Sequence, residues 1–394
     1  MILTGQATSS YFGISLVALD VNADGRTDLA VGASGYDLPT TDTGRVYVYT
    51  FGNDPMITGE TTSNYFGQTM TSGDFNADGK TDLVVSAYGY SSSTGRVYLF
   101  YSDGIIPTTA ATADVIITGN ATGDVFGTAL TAGDFNADGR TDLAVGATGY
   151  STSTGRTYIF YGDGALSATA ANTDVIITGE ASSAFGYSLA TGDFNADGKI
   201  DLAVGALAYS TNTGRTYIFY GGSIITENAS GADVIISSDV TNSAFGRVMA
   251  TGDFNSDGRT DLVVGCGSYY GIEIGYVYVF YNDGSIPTTV ATADVTIASS
   301  DGGFFGSVLG AGDFNADGRT DLVIGSRGTN YAFGKAYIFY NDGSYPSSAD
   351  SADTVVTSDF MVYDLGFGST LVASDFNADG HTDLAVGAPG YSSN

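Results

Sequence analysis

Asp134-Phe135-Asn136-Ala137-Asp138-Gly139-Arg140-Thr141-Asp142 is one of seven copies of an acidic nonapeptide in this chain. The other copies start at Asp20, Asp74, Asp193, Asp253, Asp313 and Asp375, and successive starts lie 54 to 62 residues apart. Repetition at a long, nearly fixed period marks an array of like units. Each copy sits in the same frame. Upstream is a Phe-Gly pair: Phe12-Gly13, Phe66-Gly67, Phe126-Gly127, Phe185-Gly186, Phe245-Gly246, Phe305-Gly306 and Phe367-Gly368. A short segment such as Tyr187-Ser188-Leu189-Ala190 joins that pair to the nonapeptide. Downstream come an apolar run (Leu143-Ala144-Val145-Gly146-Ala147), a Gly/Ser/Thr-rich turn, an aromatic run (Arg156-Thr157-Tyr158-Ile159-Phe160-Tyr161) and a last short run (Asp174-Val175-Ile176-Ile177-Thr178).

These runs are four to eight residues long, rich in Val, Ile, Tyr and Phe, and bounded by Gly, Asn, Asp and Ser. That is the signature of strands, and no stretch carries an amphipathic helical period. Four short strands per unit of about 60 residues describe the blade of a β-propeller. An open solenoid has shorter rungs and needs capping segments, and none is visible. The expectation is an all-β, seven-bladed β-propeller of four-stranded antiparallel blades, one domain over 1–394. Its blades run approximately over 11–59, 65–119, 125–179, 184–238, 244–299, 304–358 and 366–394 plus 1–5. Ile2-Leu3-Thr4-Gly5 reads as a fourth strand that closes the ring. The Gly-Arg-x-Tyr segment of the third strand occurs six times, so the last blade lacks one predicted strand. A gap, a continuation of the chain or a strand from another chain are the three ways to fill it.

The nonapeptide has the chemistry of a loop for a hard cation. Calcium takes six to eight oxygen ligands, and alternate positions of a short loop present them while a Gly permits the sharp turn. Positions 1, 3, 5 and 9 supply side-chain oxygens and position 7 a carbonyl. The candidate ligands are Asp20, Asn22, Asp24, Arg26 and Asp28 in the first loop, and Asp74, Asn76, Asp78, Lys80 and Asp82 in the second. The third and fourth loops offer Asp134, Asn136, Asp138, Arg140 and Asp142, then Asp193, Asn195, Asp197, Lys199 and Asp201. Asp253, Asn255, Asp257, Arg259 and Asp261 form the fifth, and Asp313, Asn315, Asp317, Arg319 and Asp321 the sixth. Asp375, Asn377, Asp379, His381 and Asp383 form the seventh. Position 12 carries Val or Ile instead of the Glu of an EF-hand, and the flanks are strand-like. Single Asx turns would explain one copy; seven copies with three Asp in register point to up to seven Ca²⁺. These loops hold about half of the 43 acidic residues, and bound ions would offset about half of the formal net charge of −30.

The acidity itself excludes partners. With 13 basic residues the chain has no Lys/Arg cluster for phosphates, so nucleic acid is not expected. No apolar run approaches the ~20 residues of a membrane span, so no insertion is expected. One cysteine, Cys266, rules out an intrachain disulfide framework and a Cys-rich zinc site. The one histidine, His381, occupies position 7 of a loop, which leaves no base for a Ser or Cys triad. No enzyme is expected.

The frame Phe-Gly … Asp-Phe-Asn-Ala-Asp-Gly-Arg-Thr-Asp-Leu-Ala-Val-Gly-Ala resembles the FG-GAP repeats of the integrin α-subunit N-terminal propeller, over essentially the whole chain. Similar repeats occur in bacterial extracellular proteins and in a fungal lectin. The resemblance implies a seven-bladed propeller with Ca²⁺ on its lower face, between strands one and two of a blade. It also implies that ligands meet the upper face, on the loops between strands two and three and between strands four and one. It does not choose among ligands, because members bind proteins, glycans or partners not known.

Departures from the repeat point to upper-face candidates. Arg247 and Arg327 fall outside the two slots that hold the other basic residues, and would contact an anionic or hydroxyl-rich ligand or else pair with acids such as Glu273. Tyr269 and Tyr270 lie in the unusual stretch Gly267-Ser268-Tyr269-Tyr270-Gly271-Ile272-Glu273-Ile274. Tyr363 lies in Phe360-Met361-Val362-Tyr363-Asp364-Leu365, which either forms a contact surface or plugs the missing strand. A tyrosine also recurs after the second strand (Tyr36, Tyr90, Tyr150, Tyr209, Tyr391), to stack on sugar or to pack within its own blade. The expectation is an extracellular or cell-surface recognition and adhesion module with a protein or glycan ligand. A lectin-like carbohydrate binder and a self-associating structural subunit of an extracellular assembly are the alternatives.

Overall fold

The computed structural model describes all residues except 8–9, 39–40, 51–53, 163–165, 223–225, 267–274, 300–303, 329–332, 359–365 and 391–394. Among the described residues the strand pattern folds as six four-stranded antiparallel sheets and one two-stranded sheet. Blade one is β1 (Phe12–Leu19), β2 (Asp28–Ala33), β3 (Arg45–Tyr49) and β4 (Met56–Thr58). Blade two is β5 (Met70–Gly73), β6 (Asp82–Ala87), β7 (Arg96–Phe100) and β8 (Val115–Thr118). Blade three is β9 (Phe126–Gly133), β10 (Asp142–Ala147), β11 (Arg156–Phe160) and β12 (Val175–Thr178). Blade four is β13 (Ser188–Gly192), β14 (Asp201–Ala206), β15 (Arg215–Phe219) and β16 (Val234–Ser237). Blade five is β17 (Val248–Gly252), β18 (Asp261–Cys266), β19 (Gly275–Phe280) and β20 (Val295–Ser299). Blade six is β21 (Phe304–Gly312), β22 (Asp321–Arg327), β23 (Lys335–Phe339) and β24 (Thr354–Thr357). The remaining sheet is the hairpin β25 (Thr370–Ser374) and β26 (Asp383–Gly387).

The expected seven four-stranded blades are therefore corrected to six. Among the described residues the seventh sheet has two strands, and residues 1–5 form no strand. The reason is the pairing order. In every complete blade the fourth strand pairs only with the third, as β12 does with β11. Without a third strand beside β26, Ile2-Leu3-Thr4 has no sheet neighbour to complete its ladder.

The innermost strands β1, β5, β9, β13, β17, β21 and β25 pack each on the next, and β25 packs back on β1. The hairpin thus closes the ring between blades six and one. The core lies between blades: Ala30, Val46, Val48 and Ile57 of blade one meet Phe66, Leu83, Val85, Tyr98 and Phe100 of blade two. Alternation within each strand sends side chains to both neighbours, so second strands such as Asp142–Ala147 are buried throughout. In each of the six four-stranded blades the Phe of the Phe-Gly pair meets the third-strand Tyr edge to face. Ring centroids lie 5.3 Å apart for Phe12–Tyr47, 5.4 Å for Phe66–Tyr98 and 5.5 Å for Phe126–Tyr158.

The glycine of the Val-Gly-Ala run is dictated by this packing. A Cβ on Gly32, Gly146, Gly205 or Gly387 would collide with the carbonyl oxygen of Gly67, Gly186, Gly246 or Gly13, the Phe-Gly glycine of the following unit. Hydroxyls of the first strand latch the same carbonyls: Ser15 Oγ donates to Gly67 O (2.7 Å) and Ser188 Oγ to Gly246 O (2.7 Å).

Candidate metal loops and the opposite face

Antiparallel order puts the nonapeptides, which join strands one and two, on the same rim as the exits of the third strands. Within each loop the side chains at positions 1, 3 and 5 are drawn together by backbone donors. In loop three the Asp138 N–H donates to Asp134 Oδ1 (3.0 Å) and to Asn136 Oδ1 (2.9 Å). The Gly139 N–H donates to Asp134 Oδ2 (2.8 Å) and the Arg140 N–H to Asp138 Oδ1 (2.9 Å). The other loops repeat this web, from Asp20, Asn22 and Asp24 to Asp375, Asn377 and Asp379. In the last loop the Gly380 N–H above all holds the Asp375 carboxyl below its ordinary value. Position 6 is Gly with φ between 82° and 88°, and position 4 is Ala or Ser with φ between 56° and 61°. Seven non-glycine residues are thus held in the left-handed region, at about 1 kcal/mol or more each.

The carboxylate at position 9 goes elsewhere. Asp142 is fully buried; its Oδ2 accepts the Phe135 N–H (2.8 Å) and its Oδ1 the Gly162 N–H (2.8 Å), just past β11. Asp82 joins Phe75 to Ser102, Asp201 joins Phe194 to Gly221, Asp261 joins Phe254 to Asn282, and Asp321 joins Phe314 to Asn341. Asp28 and Asp383 accept from Val21 and Phe376 in the same way. In blades two to six this residue staples the loop to the third strand. Burial pushes Asp28, Asp142, Asp201 and Asp261 up to about 6, and Asp82 and Asp321 in the same direction.

Accordingly, no group of three or more His, Cys, Asp or Glu side chains stands ready to hold an ion among the described residues. What each loop offers on its exposed side is two carboxylates and an amide oxygen. An all-oxygen donor set of net negative charge suits a hard divalent cation and no soft one. His381 lies exposed at position 7, its N–H donating to Asp379 Oδ1 (2.9 Å).

On the opposite rim the recurrent tyrosines meet arginine, a partner the spacing did not indicate. The guanidinium of Arg45 lies 3.8 Å from the Tyr36 ring centroid, and those of Arg96, Arg156 and Arg215 lie 3.7, 3.5 and 3.7 Å from Tyr90, Tyr150 and Tyr209. Each Nε also donates to a hydroxyl on the fourth strand, and Arg96 and Arg215 reach Glu60 (2.8 Å) and Glu180 (3.0 Å). These rings are held within the blade. After them, Ser91-Ser92-Ser93, Ser151-Thr152-Ser153 and Ser210-Thr211-Asn212 all have φ between 46° and 64°, three left-handed turns where a plain Ser/Thr turn was expected. Arg247 stands 5.9 Å from the Tyr187 ring, and exposed Arg327 stands 4.8 Å from the Phe304 ring at the end of β22. The two arginines sit on different blades. Tyr269, Tyr270, Glu273, Tyr363 and Tyr391 lie outside the described residues. Cys266 is buried at the end of β18, where burial pushes its thiol up.

FG-GAP repeats match residues 12–49, 66–100, 126–160, 185–219 and 367–394, and FG-GAP-like repeats match 253–324, together more than half of the chain. This chain is an FG-GAP repeat protein, integrin α-like in its propeller. It is 37% identical to integrin alpha-IIb of Mus musculus over 167 residues, which is 38% of this chain and 16% of that relative. Over 155 residues it is 35% identical to phosphatidylinositol-glycan-specific phospholipase D of Homo sapiens, 36% of this chain and 18% of that one. With integrin alpha-PS2 of Drosophila melanogaster it shares 32% over 240 residues, 56% of this chain and 16% of the relative. The match to this FG-GAP protein spans under a fifth of the length of these relatives. Among its described residues no helix is long and apolar enough to cross a membrane.

Proposed function

We propose that this FG-GAP repeat protein is an extracellular or cell-surface recognition module that carries Ca²⁺ on one rim and engages a protein or glycan partner on the other. Asp and Asn at positions 1, 3 and 5, with the carbonyl of position 7, hold the ion in each loop. Calcium supplies positive charge that offsets two clustered carboxylates and secures each strand-one-to-two turn. The observation that carries this reading is the sevenfold web around positions 1, 3 and 5, held in the left-handed backbone at position 4. A strained turn that gathers acidic oxygens in every unit is otherwise a cost without return. Position 9 has a structural role in this scheme, as the staple to the third strand.

The partner rim consists of the loops between strands two and three and between strands four and one. Binding, not catalysis, is the activity in this reading: the single His lies in a loop, Cys266 is buried, and about half of the acidic residues belong to the seven loops. Because Tyr36, Tyr90, Tyr150 and Tyr209 are engaged by arginine, a protein ligand is favoured over a ring of sugar-stacking tyrosines. Isothermal titration of the EGTA-stripped protein with Ca²⁺ tests the first half, and an absence of binding heat at millimolar Ca²⁺ sinks it. Glycan arrays set beside a panel of extracellular proteins test the second; selective glycan capture reverses the preference for protein.

A further inference from the structure

Neighbouring acidic loops touch one another around the ring. The residue at position 8 of one loop packs on the glycine that leads into the loop before it. A Cβ on Gly192 would lie 2.5 Å from Thr260 Cγ2, one on Gly252 2.8 Å from Thr320 Cγ2, and one on Gly312 2.9 Å from Thr382 Cγ2. This contact joins loops four and five, five and six, and six and seven alike. Loops five and six share two further contacts.

Asn341, buried just past β23, is gripped by loop six on its main chain. Its N–H donates to Asp321 Oδ1 (2.8 Å), and Arg319 Nη1 donates to its carbonyl oxygen (3.1 Å). Its side chain reaches loop five, where Nδ2 donates to the Asp253 carbonyl oxygen (3.4 Å) and to Ser256 Oγ (3.2 Å). Tyr345 makes the second bridge. Its hydroxyl donates to the Thr320 carbonyl oxygen of loop six (3.4 Å), and its ring meets Phe254 of loop five edge to face at 6.5 Å. Both rings are buried. Neither bridge recurs between loops four and five. Asn282 stands in the place of Asn341 in blade five, but loop four has Ala196 at position 4, and the buried Asn282 Nδ2 has no partner among the described residues. Ile286 stands in the place of Tyr345 and has no hydroxyl.

We infer that loops five and six act as a coupled pair, with Asn341 and Tyr345 as the positioning residues that transmit order or cation binding from one loop to the other. A buried amide that loses its acceptor is costly, so a shift of Asp253 or Ser256 draws the Asn341 side chain with it. The same residue carries the backbone N–H that holds Asp321, and through it the end of loop six. The Tyr345 ring acts in parallel, because a close-packed interior passes a displacement of Phe254 on to its neighbour instead of absorbing it. Loops four and five have only the Thr260–Gly192 packing and respond to each other less. Transmission of cation binding rests on the calcium reading above; transmission of order in the metal-free protein does not.

The test is amide hydrogen exchange of the whole chain, in EGTA and along a Ca²⁺ titration, with loop five loosened by Asp253→Ala/Asp257→Ala. The Gly318 and Arg319 amides, which donate within loop six, are expected to exchange at least about fivefold faster, and to need about fivefold more Ca²⁺ for protection. The Gly198 and Lys199 amides of loop four should not change. Asn341→Ser/Tyr345→Ile installs the residues that blade two carries at these places, Ser102 and Ile106, and is expected to abolish the response of loop six. Ser256→Ala, which gives loop five the alanine of the other loops, should reduce it. The inference is overturned if loop six does not respond, if loop four responds equally, or if the response persists in Asn341→Ser/Tyr345→Ile. If Ca²⁺ protects no loop, the calcium reading fails, while exchange in EGTA still decides the coupling.

Discussion

Thr370 Oγ1 donates to Gly13 O across 2.7 Å, although 357 residues of chain separate them. The contact repeats the Ser15–Gly67 and Ser188–Gly246 latches between adjacent blades, and here it joins the two ends of the repeat array. Beside it, Gly387 meets the same carbonyl with no room for a side chain. Closure therefore rests on a hydroxyl and a missing Cβ. Thr370→Val is expected to cost about 1 kcal/mol, the value of a hydrogen bond whose acceptor is left unmet. Gly387→Val is expected to cost more, about 1–3 kcal/mol or beyond, because backbone cannot yield as a side chain does. Urea melts that rank the two variants in the opposite order would refute this account of closure.

Calcium should stabilise the protein in proportion to the number of loops filled. Each site at a free concentration ten times its dissociation constant adds about 1.4 kcal/mol. A Tm higher in millimolar Ca²⁺ than in EGTA is expected, and Asp134→Ala/Asp138→Ala should remove one loop's share only. Identical scans in the two buffers would argue that the webs serve folding alone.

The stapling carboxylates set a pH dependence in metal-free protein. Asp142, Asp201 and Asp261 rise from 3.8 to about 6 on folding, because burial penalises the charged form. The folded state thus holds protons that the unfolded state releases. Their stabilising contribution is complete below 3.8 and is lost as pH rises through about 6. In EGTA the Tm should fall between pH 4.5 and pH 7; a rise over that window would contradict the direction for these groups.

Arg215 and Arg156 make the same stack on Tyr209 and Tyr150, but only Arg215 has a carboxylate, Glu180, at 3.0 Å. Asn120 stands at the corresponding place in blade three. Arg215→Ala is therefore expected to cost about 0.5–1 kcal/mol more than Arg156→Ala, an increment for a partly exposed pair. Equal losses would assign the whole effect to the aromatic stack and the hydroxyl.

Position 4 of the loops offers a direct measure of strain. Ala137 has φ of 59°, and Ala137→Gly should raise stability by up to about 1 kcal/mol, with relief of strain outweighing the added chain entropy. A loss would mean that the left-handed turn costs alanine little here.

Much of this was legible from local pattern. Strand positions, the Phe-Gly turns and the gathering of Asp134, Asn136 and Asp138 follow from residues a few places apart, which share one turn whatever surrounds them. The destination of Asp142 was not legible. Nothing in the nonapeptide says that its last carboxylate faces Gly162, because that donor arrives 20 residues later from another strand. The Tyr–Arg stacks escaped for the same reason: Tyr150 and Arg156 meet only because three left-handed residues fold the turn back.

The amino-acid order by itself determined the repeating unit, its antiparallel strands and the acidic turns, since alternation and turn chemistry act over neighbouring residues. The tertiary structure alone decided that, among the described residues, Ile2-Leu3-Thr4 joins no sheet, so that six sheets have four strands and the seventh is the hairpin β25–β26. A strand persists only where a neighbour meets its backbone groups, so Ile2-Leu3-Thr4, which carries a strand's sequence, forms none without a third strand beside it.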